Sequence, residues 1–243
     1  MNVVILMAGS NENKLSAYPK NLVEINGQPL LQNVIEGLSS LKNGSRNFII
    51  MLKKDENDRF YTKNVAKLVL PKAKIVEVPS KTKGAACTAL LSIEYINNNE
   101  PLLIINGDII IKEDINCIIN KFIQEDVDGG IITFNSVHPR WSYVKCNSDD
   151  LIVEVAEKKP ISNMATAGVY YFKKGKYFVD NAMNMIRKEN VVNDKFYVSL
   201  VYNEMILNQY KLKTFEIERK KYFSLSTDED IKRYEAYCQE KHE

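Results

Sequence analysis

Asp108, Lys14 and Lys20 are the side chains best placed to do chemistry, because each stands next to a break in an apolar run. Val3-Val4-Ile5-Leu6-Met7 is short and rich in β-branched residues, the pattern of a strand buried on both faces. It ends in Ala8-Gly9-Ser10-Asn11, small residues past which backbone amides can approach a ligand. Lys14 and Lys20 follow, and Pro19 stiffens the backbone ahead of the second lysine. An amide-rich loop with cations behind it suits a polyphosphate; the plainer reading is a surface turn with solvated lysines. A second apolar run, Leu102-Leu103-Ile104-Ile105, closes in Asn106-Gly107-Asp108. It would deliver the Asp108 carboxylate to the end of a core strand. A carboxylate there suits Mg²⁺, which takes one or two protein oxygens and completes its shell with phosphates and water. The same tripeptide also serves as an ordinary turn, where Asp is common.

Further along, Ser80–Gly84 is a third loop at a strand end, and Glu157-Lys158-Lys159-Pro160 a fourth. Lys158 there can hold a second anionic group, or simply mark a strand's exit into solvent. Trp141, with Arg140 and Tyr143, offers either an aromatic wall for a small ligand or a partly buried hairpin.

The elements that must position these groups alternate. Phe48–Leu52 and Lys74–Val78 read as strands alongside the two core runs. Helical patterns lie between them: Pro29 opening a helix with Leu30, Leu31, Val34, Ile35, Leu38 and Leu41 on one face, a polar surface helix over 55–68, and a helix over 85–96. Strands spaced by helices predict βαβ units, a parallel sheet, and ligands beyond the carboxyl ends of the strands. After about residue 126 the pattern changes to strands at 130–134, 143–146, 151–155 and 168–172 with short polar breaks, an antiparallel or mixed extension of that sheet. Helices at 176–188 and 195–208, a strand at 212–217 and a last helix opened by Thr227 and Asp230 as a capping box complete the chain. The expected architecture is α/β, one domain over 1–243.

Composition narrows the function. The 243 residues carry a net charge of +2, so no global basic field points to nucleic acid. No apolar run approaches the ~20 residues needed to span a bilayer, and the N-terminus lacks the basic segment of a signal peptide. Four scattered cysteines favour reduced thiols and a cytoplasmic setting over disulfides or zinc. Two histidines, His138 and His242, make a histidine-rich metal site or a Ser-His-Asp hydrolase a poor fit.

Leu6-Met7-Ala8-Gly9, Pro19-Lys20 and Gly27-Gln28-Pro29-Leu30 together resemble the opening signature of nucleotidyltransferases that activate phosphorylated small molecules, among them sugar-1-phosphate pyrophosphorylases and phosphocholine-type cytidylyltransferases. The resemblance continues through Gly84-Ala85-Ala86, Asn106-Gly107-Asp108, Glu157-Lys158, Ala167-Gly168-Val169-Tyr170 and Thr227-Asp228-Glu229-Asp230, in order along nearly the whole chain. It implies a Rossmann-like fold with a mixed, mostly parallel sheet flanked by helices, and within the single domain a nucleotide-binding half at 1–125 and an acceptor-binding half at 126–243. It implies that Met7, Ala8, Gly9, Ser10, Asn11, Lys14, Lys20, Ser80, Gly84 and Ala85 hold a nucleotide, with Lys14, Lys20 and Asp108 catalytic. Asp108 would bind Mg²⁺, and Tyr143, Glu157, Lys158 and Gly168 would line an acceptor pocket. The implied partners are CTP and a phosphorylated acceptor such as phosphoglutamine or a phosphocholine-like molecule, in bacterial capsule synthesis, and the resemblance is compatible with a homodimer. Uridylyl or thymidylyl transfer to a sugar 1-phosphate, glycosyl transfer, and nucleotide binding without turnover are the rival expectations. Three departures stand out: the second loop glycine is Asn11, the loop arginine is replaced by Asn13 or Lys14, and the place of a second metal carboxylate falls on Ser224 and Ser226, so that either Asp108 and the phosphates hold the metal alone or an acid such as Glu216 or Glu218 substitutes.

Overall fold

The computed structural model describes residues 1–9, 18–42, 45–79 and 81–240. Ser10, Asn11, Lys14 and Ser80, expected at the nucleotide, lie outside the described residues.

The β-branched runs form the centre of one sheet. Strands β1 (Asn2–Leu6), β2 (Asn47–Lys53), β3 (Lys74–Val78) and β4 (Leu102–Asn106) are parallel, in the order β4-β1-β2-β3. Their side chains alternate between two cores. Val3, Ile5, Ile50, Leu52, Leu103 and Ile105 face one, packed by helix α1 (Leu30–Gly37). Val4, Ile49, Met51, Leu102 and Ile104 face the other, packed by helix α2 (Ala85–Leu90). Burial on both faces is why β1, β2 and β4 read as continuous apolar runs, whereas β3, at the sheet edge, is only partly buried.

The second part of the chain adds β5 (Gly129–Asn135), β6 (Ser142–Cys146), β7 (Ile152–Glu157), β8 (Met164–Phe172) and β9 (Leu212–Ile217) to the same sheet. Strand β8 is the joint. Its Val169–Phe172 segment runs antiparallel to β4, while Met164 and Ala165, on the edge that β4 has vacated, pair with β6. The opposite edge of β8 pairs with β5, which is parallel to β9. The sheet therefore forks just past the end of β4, and the expected mixed extension is realised. Helices α3 (Ile115–Gln124), α4 (Gly175–Arg187), α5 (Val198–Leu207) and α6 (Asp228–Glu240) complete the covering layers and the carboxyl-terminal flank. No helix among the described residues is long and apolar enough to cross a membrane.

Several helical expectations are corrected locally. The 55–68 segment is two helices, Lys54–Phe60 and Thr62–Val69, broken at Tyr61, whose φ of 55° leaves the helical region. The 85–96 segment also divides, because Leu91 closes α2 and the Ser92 hydroxyl donates back to the Ala89 carbonyl at 2.7 Å. Residues 195–197 are extended rather than helical, since the Phe196 backbone is taken by the loop before α2. A short strand pair, Ile109–Ile111 with Tyr222–Ser224, was not expected from the sequence.

Candidate active site

Because β1 to β4 are parallel, the segments after Leu6, Val78 and Asn106 emerge at one rim. There the Gly107 amide donates to the Leu6 carbonyl at 3.0 Å, tying the exit of β4 to that of β1. A Cβ on Gly107 would fall 2.5 Å from that carbonyl oxygen, so the approach requires glycine. Met7 is buried, its amide donating to Met51, and its carbonyl accepts from the Asn21 amide group at 2.8 Å. Ala8 is half-buried and Gly9 exposed.

A single turn of 3-10 helix, Lys20–Leu22, carries Lys20 to the same place. Its Nζ lies 2.7 Å from Asp108 Oδ2, joining residues 88 apart in sequence. Both side chains keep some exposure, 19% for the lysine and 32% for the aspartate, so the pair is reachable from solvent. Ser226 Oγ donates to the same Asp108 oxygen at 3.1 Å, and Ser224 Oγ donates to Ser226 at 2.9 Å. The Leu225 amide holds the Asp108 carbonyl at 2.7 Å. Two donors thus converge on Oδ2.

Ser224 and Ser226 accordingly stand beside the carboxylate they were expected to accompany. Glu218 pairs instead with Lys220 and Lys221, and Glu216 is exposed in β9. No group of three or more His, Cys, Asp or Glu side chains gathers for a metal among the described residues. A lone, partly exposed carboxylate fits Mg²⁺ arriving with phosphates, rather than an ion caged by protein alone.

The third loop is set by backbone. Gly84 has φ 113°, and a Cβ there would lie 2.4 Å from the Phe196 carbonyl oxygen. Phe196 donates its amide to the Lys83 carbonyl at 2.8 Å, and its carbonyl accepts from the Ala85 neighbour, Ala86, at 3.0 Å. Three residues on, Ser199 Oγ donates to Glu157 Oε2 at 3.2 Å. Ser142 donates to the same oxygen. Burial pushes the Glu157 carboxyl above its ordinary range, and the two hydroxyls and Lys158 oppose that shift only in part.

Gly168 sits where β8 bulges. Ala167, Gly168 and Val169 lie between the pairs Thr166–Thr133 and Tyr170–Ile131, with Gly168 at φ 74°. A side chain at Gly168 would strike the Asn106 amide group at 2.7 Å, so the bulge brings β8 against the exit of β4. Lys158 is exposed with φ 55°, its amide donating to the Trp141 carbonyl. Tyr143 is buried in the core, its hydroxyl donating to the His138 carbonyl at 2.7 Å; burial has used the side chain expected to face an acceptor. Trp141 packs edge-on against Phe134 and Tyr222, the hairpin reading of that cluster. Ser142 and Ser199 escaped the sequence reading; hydroxyls 15 and 42 residues from Glu157 leave no local pattern.

The comparisons with known proteins bear on the family and the fold. The chain is 28% identical to the bifunctional protein GlmU of Methanocaldococcus jannaschii over 179 residues, 72% of this chain and 40% of that protein. It therefore spans about two fifths of the length of that relative. Among solved structures, a nucleoside-diphosphate-sugar pyrophosphorylase from Vibrio cholerae RC9 superposes with a TM-score of 0.83 at 20% identity, covering 96% of this chain and 99% of that one. An inositol-1-phosphate CTP transferase from T. maritima superposes with a TM-score of 0.73 at 17% identity, covering 94% and 90%. The nucleotidyl transferase family profile matches residues 4–215, and the chain belongs to that family.

Proposed function

We propose that the chain joins CTP to the phosphate of a small acceptor, phosphoglutamine or a phosphocholine-like molecule, and releases pyrophosphate. The convergence of Lys20 and Asp108 on one rim, at 2.7 Å, carries this reading. In the reaction an acceptor phosphate oxygen forms a bond to the α-phosphorus of the nucleotide as the bond from that phosphorus to the bridging oxygen breaks. A phosphate monoester is largely ionised at neutral pH, its second pKa being about 6. No general base is then required, in keeping with a chain of two histidines. What the step needs is alignment and neutralisation of crowded negative charge. Lys20 would meet the phosphates as a compact cation, the Met7–Gly9 loop would approach them with its backbone, and Asp108 would hold Mg²⁺. Bound there, Mg²⁺ supplies charge neutralisation on the leaving phosphates. Glu157, steadied by Ser142 and Ser199, would receive polar groups of the acceptor near the fork of the sheet. The T. maritima neighbour, described as a CTP transferase, supports the cytidylyl reading. The proposal extends to a role for that product in bacterial capsule or surface-polysaccharide synthesis.

A second reading is supported by the V. cholerae neighbour, described as a nucleoside-diphosphate-sugar pyrophosphorylase: the same rim would serve a sugar 1-phosphate with UTP or dTTP. One screen separates them. Pyrophosphate release is measured for each nucleoside triphosphate against phosphocholine, phosphoethanolamine, phosphoglutamine and sugar phosphates. Release with CTP and a non-sugar acceptor is expected. Release with UTP or dTTP and a sugar phosphate would install the second reading, and no release with any pair would remove both.

A further inference from the structure

Asn21 is a polar side chain in a buried place. It stands in the 3-10 turn next to Lys20, ahead of Leu22 and Val23, and is only 5% exposed. A buried amide group costs free energy unless its donors are used, and an apolar residue would fill the same volume without that cost. Here the donors are used. Asn21 Nδ2 donates to the Met7 carbonyl at 2.8 Å and reaches Glu56 Oε2 at 3.4 Å. Both neighbours can only accept, so the nitrogen end must face them and a carboxylate could not take its place. Glu56 is held in turn, its Oε1 accepting from Lys53 Nζ at 2.8 Å at the carboxyl end of β2. The contacts Lys53–Glu56–Asn21–Met7 thus tie the exits of β1 and β2 to the turn that carries Lys20.

The Met7 carbonyl matters through what shares its plane. A peptide unit is planar and trans, so holding the Met7 oxygen also fixes the Ala8 N–H, which points the opposite way. The neighbouring groups are already spoken for: the Met7 amide donates to Met51 and the Leu6 carbonyl accepts from Gly107, both at 3.0 Å. Among the described residues nothing accepts from the Ala8 amide. It is an unused donor at the start of the loop that the functional reading brings against phosphates. One side chain therefore governs both that amide and the backbone beside Lys20.

We propose that Asn21 is a positioning residue for nucleotide binding: it touches no substrate, and holds Lys20 and the Ala8 amide in the relative placement that a nucleotide's phosphates require. Such placement is worth most where the contacts must be ready before the ligand arrives. The inference rests on the reading of the Lys20–Asp108 rim as a nucleotide site, and is independent of which base or acceptor that site takes.

The full chain is titrated calorimetrically with CTP, UTP and dTTP, each with Mg²⁺, and the tightest binder of the three serves as the probe. Asn21→Leu, similar in shape but without donors, should weaken the probe about tenfold, and Lys20→Ala at least as much. In the double variant the two losses should fall short of their product by at least about threefold, because Asn21 acts partly through Lys20. Val179→Ala, buried in α4, should lower the melting temperature and leave the affinity unchanged. Should Asn21→Leu fail to fold, Glu56→Ala, at a partly exposed position, reads the same clamp and should weaken the probe about threefold. The proposal is overturned if folded Asn21→Leu, or Glu56→Ala in its stead, keeps the natural affinity while Lys20→Ala loses it. It is equally overturned if the double variant shows the full product, or if Val179→Ala weakens the probe as Asn21→Leu does. Those results leave the rim standing as a nucleotide site. Unchanged affinity in Lys20→Ala, or no binding by any of the three nucleotides, removes the rim reading and this inference together.

Discussion

Lys20 and Asp108 pair at 2.7 Å, so each charge at the rim is met by the other. The expected outcome of Lys20→Ala, and separately of Asp108→Ala, is a fall in kcat of about 10²–10³ with the fold retained, by analogy with loss of one preorganised charge contact. Steady-state kinetics with circular dichroism as the folding control would check it. Glu157 makes a different prediction. Its carboxyl is raised in the folded state, chiefly by burial, so ionisation above the unfolded value works against folding. Glu157→Gln should therefore melt higher than the natural protein at pH 7. The difference should shrink as pH falls through the folded and then the unfolded value, where both carry a neutral side chain. Melts at pH 7 and pH 4 measure this, and the same variant should raise KM for the acceptor if Glu157 receives it.

At the scale of elements, two glycines and one ion pair decide how loops meet. Gly84→Ala would place a methyl group 2.4 Å from the Phe196 carbonyl oxygen, at a φ that L-residues rarely adopt. A loss of about 2–3 kcal/mol in denaturant unfolding is expected from strain and clash combined, together with a higher KM for nucleotide. Helix α6 is fixed to the β5–β6 connection by Arg140, which grips buried Asp230 through both guanidinium nitrogens at 3.2 and 3.3 Å. Arg140→Ala leaves that carboxylate unpaired, and about 2–3 kcal/mol should be lost, less than for a fully buried pair because the arginine is partly exposed. The strands were legible because double-sided burial writes itself as runs such as Leu102–Ile105. The rim loops were legible because Gly9, Gly84 and Gly107 punctuate those runs. Thr227 caps α6 as the spacing predicted, its Oγ1 accepting from the Asp230 amide at 3.1 Å; the Asp230 carboxylate, however, goes to Arg140 rather than back to the helix start. What the chain order hides is pairing at long range. The Ile109–Ile111 strand has three residues and finds its partner at Tyr222–Ser224, and Tyr143 looked available until the packing of β6 against β8 buried it.

For the whole molecule, the fork of the sheet is the organising feature. β8 leaves β4 at the Gly168 bulge and takes up β6, so residues from the parallel half and from the mixed half border one opening. The Tyr202 hydroxyl, buried, reaches the Gly130 and Tyr171 carbonyls at 2.9 and 2.7 Å and pins α5 beneath the β5–β8 seam. Finally, the contacts around Asp108 have a consequence for synthesis on the ribosome. The carboxylate is made early, yet its backbone is clasped by Leu225 and its oxygen by Ser226, 118 residues later. A nascent chain therefore exposes an unfinished rim while the 118 residues that follow Asp108, through Ser226, are made, and a stop codon placed after Lys221 should yield a product that keeps the strands β1 to β4 yet cannot lock its aspartate.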